Sequence, residues 1–174
     1  MQEIAKINNF PVYTLDKKIA LKYSKEISAL ANEVPFSKKG HFNIMDEEKD
    51  GKILHKKFKH SLLVFDKEKP IAVLVAYERE PEIANKIYNE NLLNITLLSV
   101  HNNYRKKGIA RELMKIFFEY NKKFFYLKGK LKYSISTNSI DSNKFVQNFY
   151  KSLGFVKVGT KKCEDARINI VMKK

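Results

Sequence analysis

A polar loop between a predicted strand and a predicted helix carries the residues best suited to chemistry. Four cations, Arg105, Lys106, Lys107 and Arg111, lie within seven residues and surround Gly108. The first turn of a helix offers unbonded N–H groups and the positive end of the helix dipole, and a glycine lets an anion approach the backbone closely. The segment therefore predicts a phosphate-binding site. Neither Gly-x-Gly-x-x-Gly nor Gly-x-x-x-x-Gly-Lys-Ser/Thr occurs in the chain, which excludes the usual dinucleotide and P-loop motifs.

The surrounding elements must hold this loop at the end of a strand. The nearly continuous apolar run 92–100 is typical of a central strand covered on both faces. Apolar residues recur at helical spacing from Ile109 onward, which predicts a helix that ends before Gly129. The other predicted elements are strands at 4–7, 61–65, 71–77, 133–137, 155–158 and 167–172, a short helical insertion at 81–91, and helices between Asp16 and Pro35 and between Ser142 and Gly154. Alternating strands and helices predict one domain, 1–174, of the mixed α/β class.

The composition allows a buried core and leaves the charge open to two interpretations. The chain has 174 residues, 44% of them hydrophobic, and no stretch approaches the roughly 20 apolar residues that span a bilayer. The net charge of +15 would attract a polyanion, either nucleic acid or a phosphate-bearing cofactor. Alternatively, it reflects lysines spread over the whole surface.

Cysteine usage and the N-terminal residues bear on the compartment. Cys163 is the single cysteine, so the sequence predicts neither an internal disulfide nor a multi-cysteine metal site, and no metal is expected. The first residues lack a basic region followed by an apolar run and a cleavage site. We therefore expect a cytoplasmic protein with no membrane partner.

Two segments resemble the motifs of one enzyme family. Arg105-x-x-Gly108-x-Ala110 after an apolar strand resembles the acyl-CoA motif Gln/Arg-x-x-Gly-x-Gly/Ala of the N-acetyltransferase (GNAT) family. Downstream, residues 143–155 resemble that family's Asn-x-x-Ala-x-x-x-Tyr-x-x-x-Gly-Phe segment, with Val146 in place of the usual alanine. The resemblance covers residues 92–158.

The resemblance implies a fold and a reaction. The fold would be a central, mostly antiparallel sheet with a parallel, splayed central pair and helices on both faces. The reaction would be direct transfer of an acetyl group from acetyl-CoA to a primary amine of a small molecule or a protein. Acetyl-CoA would be the acyl-donor cosubstrate, and a homodimer is left open.

The resemblance also implies roles for individual residues. The pyrophosphate of coenzyme A would lie on the backbone from Lys106 through Lys107, Gly108, Ile109 and Ala110 to Arg111, with Arg105 beside it. The pantetheine arm would pair with the backbone of Leu98, Ser99 and Val100, and the Val100 N–H would polarise the thioester carbonyl. Asn138 and Asn143 would contact the arm from the other side. Tyr150 would be the catalytic residue that protonates the departing thiolate.

One departure from the family concerns the base. Some members carry a glutamate on the central strand, whereas this chain has Asn94 at the matching position. An alkylammonium must lose a proton before it can attack, so a base or a water chain is required. Glu33, Glu78 and Glu80 are candidates on possible proximity alone. We also hypothesise that the acidic residues at 46–50 attract a cationic amine acceptor.

Two other classes of function stay open at this stage. A CoA-binding sensor without turnover is consistent with the missing strand carboxylate. A basic nucleic-acid-binding module is consistent with the charge and with the lysines and aromatics at 122–126, but no nucleic-acid motif occurs there. The acceptor itself cannot be read from the sequence.

Overall fold

Strands and helices alternate along the chain in the computed structural model, which describes residues 2–34, 58–79, 92–125, 132–138, 144–162 and 168–174. The described elements in chain order are β1 (Glu3–Ile7), β2 (Phe10–Thr14), α1 (Lys17–Lys22), α2 (Ser24–Asn32), β3 (Leu62–Asp66), β4 (Lys69–Arg79), β5 (Leu92–Val100), a 3-10 helix (Asn102–Tyr104), α3 (Ile109–Phe125), β6 (Lys132–Asn138), α4 (Lys144–Lys151), β7 (Val156–Lys162) and β8 (Ile168–Lys173). This is the predicted mixed α/β class.

The chain divides into two compact units that share β4 and β5. The first comprises Met1–Tyr77 and Leu97–Gly129, and the second comprises Glu78–Thr96 and Lys130–Lys174. The sequence predicts one domain over 1–174, and that boundary stays a prediction.

In the first unit, β1 to β4 pair in sequence order as antiparallel neighbours. The β1–β2 turn passes through Asn8 and the β3–β4 turn through Lys67, both with positive φ. Asparagine is among the residues that adopt this region most readily, which suits a tight hairpin. The hairpin of β3 and β4 was predicted, whereas β2 was not, because Pro11 and the short polar stretch around it resemble a loop.

Helices α1 and α2 pack an apolar face against these strands. Ile19, Ile27 and Leu30 are buried in one cluster with Phe65 and Val75, as the predicted helical stripe requires. The sequence predicted one continuous helix, but the structure breaks it at Tyr23, whose φ of −112° is not helical. The ring of Tyr23 packs edge-on against Phe65 at 5.0 Å, so the break coincides with a core contact.

Helix α3 follows the loop of interest and buries one face in the same unit. Its inward side chains include Ile109, Leu113, Met114 and Phe117, all at most 1% exposed. On its outer face, Glu112 pairs with Lys115 and Glu119 pairs with Lys122. Helix α3 extends to Phe125. Most of the segment 122–126, which the nucleic-acid alternative uses, therefore forms the last turn of this helix.

Two polar contacts that sequence patterns did not predict lie inside the first unit. The Ser99 hydroxyl donates to the Leu30 carbonyl at 2.5 Å, and Ser99 is only 3% exposed. His60 Nδ1 lies 2.6 Å from Asn121 Oδ1, and both residues are fully buried. Buried polar groups require such partners, because an unsatisfied one costs free energy.

The second unit contains the expected parallel pair. The first residues of β5 pair in parallel with β6, from Leu92 opposite Lys132 to Ile95 opposite Ile135. β6 pairs antiparallel with β8, and β8 pairs antiparallel with β7, so the described pairings are mostly antiparallel. Helix α4 precedes Gly154, whose φ of 88° is the conformation predicted for a residue after a helix end.

The predicted helical insertion at 81–91, the predicted cap at Ser142 and the acidic stretch at 46–50 fall outside the described residues.

Replacing Asp16 tests the predicted start of α1. Asp16 Oδ1 accepts the Ile19 N–H at 2.8 Å, so Asp16→Ala should lower the free energy of unfolding by about 1 kcal/mol, measured by urea denaturation. Asp16→Asn keeps an acceptor oxygen and should lose much less. An equal loss in both variants would contradict the capping role.

Candidate functional site

The end of β5 leads directly into the predicted anion loop. Val100 is 8% exposed and Ser99 is buried, while Leu98 is partly exposed. The next residue, His101, donates its backbone N–H to the Ile71 carbonyl of β4 at 2.8 Å. The loop therefore begins from a backbone position fixed by the neighbouring strand.

The loop passes twice through left-handed backbone before α3 begins. Lys106 has φ 62° and Gly108 has φ 78°. A non-glycine residue pays about 1–2 kcal/mol in this region, so the Lys106 conformation must be held by its surroundings. A Cβ added at Gly108 would meet no atom within 4 Å. Open space therefore lies directly beside the Gly108 backbone.

Helix α3 presents its first N–H groups at the same place. The Arg111 and Glu112 amides both donate to the Gly108 carbonyl, at 3.0 and 3.1 Å. The amides of Ile109 and Ala110 come before these first helical bonds, so they belong to the unbonded set at a helix start. The Ile109 side chain is buried and anchors this turn, and Ala110 is partly exposed. A helix of 17 residues supplies a full dipole behind them.

The four predicted cations are all exposed around this helix start. Lys107 is held over the Tyr104 ring, with its Nζ 5.2 Å from the ring centroid. Lys106 and Arg111 are exposed as well. Positive side chains and outward amides at one helix start make an environment suited to a phosphate group.

Arg105 has a second role that the sequence did not indicate. Its Nε donates to the Val100 carbonyl at 2.9 Å, and its Nη2 donates to the Glu33 carbonyl at 3.0 Å. The guanidinium therefore bridges the strand end and the end of α2. Its expected place beside a pyrophosphate stays a prediction.

Glu33 is bound on several sides, which bears on its candidacy as a base. Its Oε2 accepts the Asn102 N–H at 2.8 Å and lies 3.6 Å from Arg105 Nη2. Its Oε1 lies 3.6 Å from His101 Nε2. A carboxylate with these partners is suited to holding the loop. Of the other candidates, Glu78 is partly exposed on β4, and Glu80 lies outside the described residues.

Tyr104 connects the loop to strands β2 and β3 of the same unit. Its hydroxyl donates to Asp66 Oδ2 at 2.6 Å, and this bond raises the pKa of the Tyr104 phenol above its ordinary value. Its ring contacts Phe10 and His101 edge-on, at 5.6 and 5.8 Å between centroids. No motif marked Tyr104 in the sequence, since its partners are remote along the chain.

The remaining predicted residues belong to the second unit. Tyr150 on α4 is 4% exposed, and its ring packs against Phe149 and Phe155. Burial raises the pKa of the Tyr150 phenol well above its usual range, so the group stays protonated. Asn138 is the last residue of β6, and Asn143 lies outside the described residues.

Neither a metal-binding cluster nor a membrane-spanning helix occurs among the residues that the structure describes. Within the described ranges, no group of three or more His, Cys, Asp or Glu side chains could hold a metal ion. No helix among them has both the length and the apolar character to cross a bilayer. The chemistry that this site offers is anion binding by backbone amides and cations.

Comparisons with solved structures find the same fold in N-acetyltransferases. The NatC complex bound to Gag peptide and CoA has a chain at TM-score 0.66 and 15% identity, covering 94% of this chain and 96% of that chain. Arabidopsis thaliana Naa50 in complex with the bisubstrate analogue CoA-Ac-MVNAL matches at 0.63 and 14%, covering 95% and 97%. An aminoglycoside 6'-N-acetyltransferase complexed with coenzyme A matches at 0.62 and 15%, covering 94% and 95%. A search of the curated proteins finds no significant match.

The family itself is shown by the sequence. The model of the acetyltransferase (GNAT) domain matches residues 41–174, which is most of the chain. The resemblance noted in the two motifs is thereby confirmed, and acetyl-CoA is the acyl donor that this family uses. The chain belongs to the GNAT family of acyl-CoA-dependent N-acetyltransferases.

Proposed function

We propose that this enzyme transfers the acetyl group of acetyl-CoA directly to a primary amine of its acceptor. The observation that carries the proposal is the open, left-handed turn at Lys106 and Gly108, set at the start of a 17-residue helix and surrounded by exposed cations. This local geometry suits a pyrophosphate. The four cations of this cluster adjoin the first amides of α3, so we assign the attraction of the cosubstrate to them and not to the +15 charge as a whole.

The residues of the loop and strand hold the cosubstrate. The backbone from Lys106 to Arg111 binds the pyrophosphate, through the amides that precede the first helical bonds of α3, and the backbone of Leu98 to Val100 pairs with the pantetheine arm. The Val100 N–H donates to the thioester oxygen, where negative charge develops during attack. Asn138 and Asn143 contact the arm. These assignments rest on the family resemblance, together with the geometry of the loop.

Tyr150 supplies the proton for the leaving group. The amine nitrogen forms a bond to the thioester carbonyl carbon, and the bond from that carbon to sulfur breaks. Tyr150 donates its phenolic proton to the thiolate, and the proton that the attacking nitrogen loses as the amide forms restores the phenol. Burial raises the pKa of the Tyr150 phenol, which keeps its acid form present at neutral and mildly alkaline pH but makes proton donation to the thiolate less favourable.

The ammonium of the acceptor must first lose a proton. Asn94 is buried on β5 and has no carboxylate, and the Glu33 carboxylate is engaged by the loop. We therefore propose that water, Glu78 or Glu80 accepts this proton, with no carboxylate of β5 involved.

The acceptor is an amine on a peptide or on a small molecule. The matched structures include complexes with peptide-like and peptide ligands and an aminoglycoside-modifying enzyme. A screen with acetyl-CoA should therefore span short peptides with free N-termini, aminoglycosides and polyamines. Release of free CoA with at least one acceptor is the expected result. Tight CoA binding with no release across the panel would favour the sensor alternative.

We also propose a cellular compartment for the enzyme. The single cysteine, Cys163, supports a reducing compartment, and we propose the cytoplasm. A homodimer stays a prediction.

Substitution of Gly108 tests the phosphate site. Gly108→Trp fills the open space beside the backbone and should abolish acetyl-CoA binding in calorimetry. Gly108→Ala shares the backbone strain but adds one methyl group, so its affinity should stay within about tenfold of wild type. Comparable affinity in the tryptophan and alanine variants would refute the assignment.

Substitution of Tyr150 tests the acid. Tyr150→Phe should bind acetyl-CoA normally but lower kcat by about 10²-fold, the scale of general acid catalysis. Tyr120→Phe is the matched control, since Tyr120 is a partly buried phenol on α3 outside the proposed machinery. Because the folded-state pKa of Tyr150 is raised, wild-type activity should not decline between neutral and mildly alkaline pH through loss of this proton. A wild-type kcat for Tyr150→Phe would remove the role.

A further inference from the structure

The end of α2 is fastened to the loop at several points within the first unit. The Leu30 carbonyl accepts the Ser99 hydroxyl, and the Glu33 carbonyl accepts Arg105 Nη2. The Glu33 carboxylate accepts the Asn102 amide and lies near Arg105 and His101. Helix ends leave carbonyl groups that need donors, and here β5 and the loop supply them.

The position of a carboxylate near an anion site requires explanation. A negative charge beside the loop would oppose phosphate binding unless cations neutralise it. The Arg105 guanidinium lies 3.6 Å from the Glu33 carboxylate and supplies that positive charge, and the Glu33 side chain is only 23% exposed, so this ion pair is partly shielded from solvent. The Glu33 carboxylate also accepts a hydrogen bond from the backbone N–H of Asn102, the first residue of the 3-10 helix. This contact fixes the loop upstream of Lys106, where the strained turn begins.

We propose that Glu33 is a positioning residue for the phosphate loop. It acts through Asn102 and Arg105, holding the loop in the conformation in which the later amides face the cosubstrate. This inference rests on the proposed function, because the loop is taken as the pyrophosphate site.

A role as base or as a simple helix anchor makes different predictions. A base would change kcat and its pH profile with unchanged affinity for CoA. A purely structural anchor would lower the melting temperature and leave affinity unchanged at temperatures where the protein is folded. A positioning residue changes the affinity for CoA and the KM for acetyl-CoA, whereas kcat and its pH profile change little.

The test measures CoA affinity by calorimetry in folded variants. Glu33→Ala should weaken binding of CoA by about tenfold, the scale of a hydrogen bond to a charged group. It should weaken binding of the CoA fragment adenosine 3'-phosphate 5'-diphosphate (3'-phospho-ADP) to a similar extent. Glu33→Gln keeps an oxygen that can accept the Asn102 amide, so it should restore most of the affinity. In the same apo variants, amide exchange at Asn102 should quicken in Glu33→Ala only.

Glu112→Gln is the matched control. Glu112 lies in the first turn of α3 and pairs with the exposed Lys115, so its replacement also removes one negative charge near the loop. This variant should bind CoA as tightly as wild type, or more tightly. Opposite effects at the two positions would separate positioning from net charge.

The outcomes distinguish this inference from the proposed function. If wild-type protein fails to bind CoA, the proposed function fails. If wild type binds but Glu33→Ala binds equally well, only the positioning role is overturned. Should Glu33→Ala fail to fold, Glu33→Asp decides, because its shorter side chain keeps the charge but withdraws the carboxylate from the Asn102 amide. Glu33→Asp should weaken CoA binding and quicken amide exchange at Asn102, and wild-type affinity in this variant would overturn the positioning role.

Discussion

A phosphate can be held by backbone only where the chain turns its amides outward, and the join between β5 and α3 provides that geometry. The amides of Ile109 and Ala110 precede the first helical bonds, and Gly108 has open space beside it. The left-handed conformation of Lys106 costs free energy that the rest of the unit must offset. The fold around the loop can be understood as the support for this turn.

That support comes from both sides of the loop. On one side, Tyr104 hydrogen bonds to Asp66 at the end of β3 and packs against Phe10 of β2. On the other, Glu33 at the end of α2 binds Asn102 and Arg105. A loop fixed in this way is prepared before a ligand arrives, which lowers the ordering cost of binding. Among the four cations, Arg105 holds the loop, and we propose that the exposed Lys106, Lys107 and Arg111 face the ligand.

Local features were predictable from the sequence, and long-range pairings were not. The bounds of β5, the cap at Asp16 and the positive φ of Gly154 follow from hydrophobic runs, capping chemistry and glycine placement, which are encoded within a few residues. The role of Arg105 could not be predicted, because its partner Glu33 is remote in sequence. The strand β2 was missed because Pro11 suggests a loop, although proline is tolerated in a strand where its missing N–H is not needed. The family motifs located the loop without revealing what holds it.

The most direct test of the central claim is a titration of the labelled protein with coenzyme A, followed by the backbone amide resonances in NMR. We expect saturable binding, with the largest shifts at the amides from Lys106 to Arg111 and smaller ones in α1 and the β3–β4 hairpin. Binding that leaves the amides of Lys106 to Arg111 unshifted would contradict the claim that this turn holds the pyrophosphate.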